Sequence, residues 1–142
     1  LAEAGIAFDE KLVRPGYFTY RSGLEAAESL LALADPPTAI FASNDDMASA
    51  VVSVAHRRGL DVPRDLSVVG FDDTSASTMV WPELTTVHQP VASMADAAID
   101  ILLREIRRAT NSARVIVNHV VPHKLVKRAS VAARKKSKLV RQ

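Results

Sequence analysis

SVVGFDDTSASTMVWPELTTVHQP, residues 67–90, is the stretch that decides how this chain folds. Val68-Val69-Gly70-Phe71 reads as a short apolar strand ending in two carboxylates, Asp72 and Asp73. A polar loop follows, and Pro82 to Pro90 leads into an amphipathic segment. In an open α/β sheet, ligands bind outside the carboxyl ends of the strands. Polar groups at such an end are therefore candidate contacts by position alone.

Strand and helix signals alternate on either side of this stretch, which predicts an α/β architecture with a largely parallel sheet. Ser22-Gly23-Leu24-Glu25 has capping-box spacing, with Ser22 at the N-cap. Leu24, Ala27, Leu31 and Ala34 then form an apolar face, and Asp35-Pro36-Pro37 stops the helix. Residues 38–42 read as a short buried strand. Asn44 caps the next helix, Asp45 and Asp46 suit the positive end of its dipole, and Met47, Ala48, Val51, Val52 and Ala55 make its stripe. A third helix is expected from Pro90, with Val91, Met94, Ala95, Ala98, Leu102 and Ile106 on one face, broken at Asn111-Ser112. Residues 114–121 and the neighbourhood of Leu125-Val126 read as strands. The expected organisation is one domain over residues 1–131 and a basic, disordered tail over 132–142.

The 142 residues suffice for one domain with a sizeable core, and 48% apolar with 24% charged residues is ordinary for a globular chain. There is no cysteine, which excludes disulfides, thiolate metal sites and a cysteine nucleophile. No apolar run is long enough for a membrane span. Leu1-Ala2-Glu3-Ala4-Gly5 lacks the pattern of a signal peptide and reads as the end of a helix, so a fragment of a longer cytoplasmic protein is expected. Charge is unevenly spread: residues 1–105 hold all 16 acids against 7 Lys and Arg, a net −9, and residues 106–142 hold 11 basic residues and no acid. The domain body is acidic and its end basic. A mobile, solvated terminus is the ordinary reading of the run 134–141; nonspecific phosphate contact is the sharper one.

Catalysis finds no support. Asp45 and Asp46 point about 100° apart on a helix, a poor acid/base pair. Asp72 and Asp73 lack a neighbouring His to complete a metal site. His119 and His123 have i,i+4 spacing, but their surroundings do not read as helix. A nucleophile elbow, a phosphate loop and a dinucleotide glycine signature are all missing. The chain is expected to be no enzyme and to hold no metal or cofactor.

A ligand site has more in its favour. Phe18 precedes the first complete helix, Asn44 ends one strand and Asp72 the next. An aromatic face with an amide and a carboxylate is what a sugar needs: the ring covers C–H groups, and the polar groups bond vicinal hydroxyls. On the residues alone, Asn44 serves equally as a helix cap, Phe18 as core and Asp72 as a turn former.

Several segments resemble the effector-binding domain of LacI/GalR-type transcriptional regulators in order and spacing, from about Gly16 to Ser130. They are Gly16-Tyr17-Phe18-Thr19 with Ser22-Gly23, Ala42-Ser43-Asn44-Asp45-Asp46-Met47-Ala48, Gly70-Phe71-Asp72-Asp73, residues 82–90, and Leu125-Val126-Lys127-Arg128-Ala129-Ser130. The resemblance implies a three-layer, open, mainly parallel sheet: one lobe of a type I periplasmic-binding-protein-like fold, N-terminally truncated. It implies effector contacts by Phe18, Asn44 and Asp72, with Val91 and Tyr17 close by. Tyr17 stands where the family usually has Asp, and Arg21 where it often has an acid. It further implies a homodimer, with Ser49, Val52, Ser53, Met79, Val80 and Trp81 at the interface; Trp81 fits a lid or a core position equally well. The implied function is the sensing and dimerisation part of a sugar-responsive regulator. Operator DNA would be reached through an N-terminal domain that this chain lacks. The rival reading is a periplasmic sugar-binding protein of a transporter, which shares the fold.

Overall fold

The computed structural model describes residues 2–107 and 118–133. After short 3-10 turns at Ala2–Ala4 and Glu10–Leu12, the elements run α1 Tyr20–Leu31, β1 Ala39–Phe41, α2 Asp45–Arg57, β2 Ser67–Asp72, α3 Ala76–Met79, β3 Thr85–His88, α4 Val91–Arg107 and β4 Lys124–Val126. The strands form one open sheet in the order β1-β2-β3-β4. β1, β2 and β3 are parallel, pairing Ile40 with Val68 and Val69 with Thr85. β4 returns antiparallel, with Thr86 opposite Val126. The expected α/β class and mainly parallel open sheet are present.

Helix α1 starts earlier than its capping-box spacing implied. Thr19 is the N-cap, and its side chain and that of Ser22, at N3, satisfy each other's backbone N–H groups. Ser22 thus closes the box from the other side. The helix also stops at Leu31, short of Asp35-Pro36-Pro37, which leaves Ala34 exposed and outside the helix. The reason is tertiary: the Arg58 guanidinium donates to the carbonyls of Leu31 at 2.9 Å and Glu28 at 3.2 Å, supplying the partners a helix end lacks.

Helix α2 lies between α1 and the sheet, so its burial extends well beyond a single stripe: Met47, Ala48, Ala50, Val51, Val52, Val54 and Ala55 are all in the core. Ile40, Val68, Leu66 and Leu84 complete it from the sheet side. β1 is not wholly buried; Ile40 faces α2 while Phe41 is exposed on the opposite face. Among the described residues the packed helical layer is the one formed by α1 and α2. α4 has no buried residue, although it is strongly amphipathic. Ala97 and Ile101 are its half-buried positions, while Val91, Met94, Leu102 and Ile106 of the expected stripe are exposed. The strand expected over 114–121 is not formed at 118–121, and its earlier part lies outside the described residues. So do the break at Asn111-Ser112 and the tail from 134 onward. Ala132 is attached to the sheet, its N–H donating to Ser67 Oγ at 3.2 Å.

The contact between α1 and α2 depends on Gly23, where an added Cβ would sit 2.7 Å from the Met47 Cα and 2.9 Å from the Ala50 Cβ. Backbone cannot yield as a flexible side-chain tip can. Gly23→Ala is therefore expected to lower stability by about 1–3 kcal/mol, the usual cost of overpacking, measurable as a lower urea midpoint with an unchanged slope.

Candidate functional site

Three strand ends converge on one edge. Beyond β1, the Ala42 N–H donates to the Val69 carbonyl at 2.9 Å, so Ser43 and Asn44 leave the sheet beside Phe71 and Asp72. Asp72 in turn lies opposite His88 at the end of β3. Asn44 is nearly buried and does two jobs. Its Oδ1 accepts the Met47 N–H at 2.9 Å, capping α2, and its Nδ2 donates to the Phe18 carbonyl at 3.1 Å. The cap therefore also pins the Phe18 loop to this edge. Phe18 is not a core residue: it is 66% exposed. Tyr17 and Val91 attach through their backbones, the Tyr17 N–H to Ser22 Oγ at 3.0 Å and the Val91 N–H to the Gln89 carbonyl at 2.9 Å, and both side chains face solvent.

Backbone strain gathers at the same place. The non-glycine residues with positive φ among the described residues are Phe18 at 56°, Asp72 at 106° and Asp73 at 61°. Such conformations cost of order 1–3 kcal/mol each and persist where surrounding contacts enforce them. Those contacts are explicit. The Asp72 carboxylate accepts a hydrogen bond from the Gln89 side-chain amide. Asp73 Oδ1 accepts from Arg128 Nη2 at 2.6 Å, and its Oδ2 lies 3.0 Å from His88 Nδ1. The Arg128 guanidinium holds the Asp73 carboxyl below the usual carboxylate range; His88 adds to this and burial opposes it. Arg128 also donates to the Leu84 carbonyl at 2.8 Å and approaches Glu83 at 3.8 Å.

Behind this edge is Asp45, fully buried rather than solvated as a plain helix-dipole charge would be. Its Oδ2 accepts the Thr74 N–H at 2.7 Å and its Oδ1 accepts the Thr86 hydroxyl at 2.6 Å. A Cβ on Gly70 would stand 2.3 Å from Asp45 Oδ1. Gly70 therefore leaves room for a carboxylate, which accounts for a glycine inside a strand. Asp46 is exposed, in keeping with the dipole reading.

Gln89, Asp73, Arg128 and Asp45 were not singled out as site residues from the sequence. Gln89 follows β3 as Asp72 ends β2, so its place at a strand's carboxyl end is a signal of the same kind. Arg128 carried no such signal, because the antiparallel return of β4 brings it 55 residues along the chain to Asp73.

Of the expected interface residues, Val52 is corrected: it is fully buried in the core, since α2 turns it inward. Ser49 is drawn in as well, donating to the Ala76 carbonyl at 3.3 Å. Ser53 accepts the Tyr20 hydroxyl at 2.8 Å, Val80 packs partly on the core, and Met79 and Trp81 are 82% and 78% exposed, so Trp81 is not core.

A cavity of about 940 Å³ lies between the sheet, α4 and residues 118–123. It is lined by Phe71, Val87, Met94 and Ile101 and shares Gln89 with the edge cluster. Its walls are mainly apolar, whereas the strained backbone and the convergent polar groups are at the edge. Among the described residues no group of His, Asp and Glu is arranged to hold a metal ion. No helix there is long and apolar enough to cross a membrane.

An open, mainly parallel sheet with polar groups gathered at its carboxyl edge defines an α/β lobe of the class in which ligands bind at that edge. The chain belongs to the periplasmic-binding-protein-like domain family, whose profile matches residues 1–131. It is 39% identical over 130 residues to catabolite control protein A of Priestia megaterium, an alignment covering 92% of this chain and 38% of that protein. It is similar to the solved complex of the transcriptional regulator CelR with cellobiose, with TM-score 0.82, 36% identity and coverage of 91% of this chain and 38% of that one. A LacI family transcriptional regulator from Enterococcus faecium with bound ribose also matches, with TM-score 0.71, 27% identity and coverage of 85% and 43%. These relatives bear out the resemblance to LacI-type regulators over the transport reading. The chain spans about two-fifths of the length of the relatives it matches.

Two outcomes follow from the edge. Asp45→Ala removes the acceptor of the buried Thr86 hydroxyl and of the Thr74 N–H, so a loss of about 2–3 kcal/mol is expected in chemical denaturation. Asp73 has a folded pKa below its unfolded value of about 3.9, so its stabilisation is complete above about pH 5 and lost as the pH falls through the lowered pKa. The melting-temperature gap between the wild type and Asp73→Asn should accordingly be widest near neutrality and close on acidification.

Proposed function

We propose that this chain is the effector-sensing and dimerisation part of a cytoplasmic, sugar-responsive transcriptional regulator of LacI type, and not an enzyme. Operator DNA is contacted by a DNA-binding domain outside this chain. The observation that carries the reading is the gathering of Phe18, Asp72 and Asp73, all at positive φ, on the carboxyl edge beside the Asn44 cap. Strain kept at that edge and nowhere else among the described non-glycine residues supports a binding role. Phe18 offers a free ring face to sugar C–H groups, Asp72 offers a carboxylate to vicinal hydroxyls, and Asn44 keeps spare hydrogen-bonding capacity. The sugars bound by CelR and by the Enterococcus faecium regulator favour a carbohydrate effector.

The exposed apolar face of α4 and the open cavity beneath it suit a second lobe, so that ligand closes between two halves. To act as a signal, the ligand must bind one lobe arrangement better than the other, since equal affinity moves no equilibrium. Met79, Val80 and Trp81 with Ser53 supply the dimer face, and two-fold symmetry matches a palindromic operator.

In the full-length regulator, Asp72→Ala is expected to abolish the effect of sugar on operator binding and to leave sugar-free operator affinity within about twofold. Fluorescence anisotropy of labelled operator, titrated with and without cellobiose or ribose, reads both quantities. An Asp72→Ala protein that still responds to the sugar as the wild type does would sink the site assignment.

A further inference from the structure

We propose that Asp73 is a positioning residue for effector recognition: its carboxylate, clamped by Arg128 and His88, locks the strand end that presents Asp72. The proposal deepens the reading above and rests on it. Two successive L-residues at φ 106° and 61° do not hold themselves there. Released, they would relax toward extended or right-handed backbone and re-aim the carboxylate of Asp72. Asp72 is restrained through its side chain by Gln89, and Thr74 beyond the turn is restrained by Asp45. Asp73, between them, is the residue tied to three separate elements. His88 comes from β3, Arg128 from just beyond β4, and Ser77 Oγ, from α3, lies 3.4 Å from its Oδ1.

The division of labour between the adjacent carboxylates is also electrostatic. Asp73 and Arg128 are each 17% exposed at the side chain and 2.6 Å apart, so the charge of Asp73 is compensated inside the fold. Asp72 carries its charge beside a neutral amide and stays available to hydroxyl donors. A fixed direction and a charge that no ion pair among the described residues compensates are what a sugar-binding carboxylate needs, and both follow from what Asp73 does with its own oxygens.

The test uses the full-length protein with cellobiose and ribose as probes and the crystal structure of Asp73→Asn as a readout that needs no ligand. In Asp73→Asn, the Asp72 carboxylate is expected to leave Gln89, and calorimetric affinity for the sugar that binds the wild type is expected to fall tenfold or more. Arg128→Lys, which keeps the charge, should retain affinity within about threefold. Glu83→Gln alters the outer partner of Arg128 and should leave affinity unchanged; a merely structural role of the cluster would not separate it from Asp73→Asn at matched stability. An Asp72 that stays in place with affinity within twofold in Asp73→Asn overturns the positioning role and leaves the effector site standing. If Asp72→Asn binds sugar like the wild type, or neither sugar binds the wild type, the effector reading fails for these sugars. The positioning of Asp72 is then decided by the crystal structure, where an unmoved carboxylate overturns it.

Discussion

The buried carboxylate of Asp45 is the contact on which the carboxyl edge depends. It sits at the first turn of α2, where the helix dipole favours negative charge, and it bonds the Thr74 N–H beyond β2 and the Thr86 hydroxyl on β3. One side chain thus ties a helix to two strand ends. A buried charge is costly unless its hydrogen bonds are made, and here they are made by the Thr74 N–H and the buried Thr86 hydroxyl. The geometry is exacting: Gly70 must lack a Cβ for Asp45 to fit at all.

With α2 tied down, the rest of the edge follows. Asn44, one residue earlier, caps the same helix and holds the Phe18 loop, so the aromatic and the amide are placed by one hydrogen-bonding side chain. On the other side, the turn through Asp72 and Asp73 is braced from β3, α3 and the segment after β4. The buried Ser130 hydroxyl accepts the Thr85 N–H at 2.8 Å and donates to the Val68 carbonyl, which seats that segment across β2 and β3. The C-terminal segment therefore supports the edge although it contributes no ligand candidate of its own.

The molecule is unevenly covered. The face of the sheet toward α1 and α2 is packed to near-zero exposure, while Phe41 and the apolar side of α4 meet solvent. The chain spans about two-fifths of the length of the relatives it matches. The polar edge and the uncovered apolar face differ physically: the first meets its hydrogen bonds within the fold, and the second leaves apolar area in contact with water.

Much was legible in the residues themselves. The alternation of apolar strands with 3.6-period helices, the caps at Asn44 and the run into α4 at Pro90 are local properties, so periodicity and turn chemistry reveal them and with them the α/β class. The motif segments located the edge through Phe18, Asn44 and Asp72. What tertiary structure decided was the part that depends on which groups meet. Helix α1 ends at Leu31 because Arg58, the residue just after α2, satisfies its last carbonyls. Asp45 is buried and Val52 is core because α2 is covered on both sides, which a stripe of apolar residues does not reveal. Arg128 meets Asp73 only once β4 pairs antiparallel with β3. Local sequence sets the dihedral preferences of a segment; long-range packing alone sets who satisfies its polar groups, and that second term determined the geometry of the site.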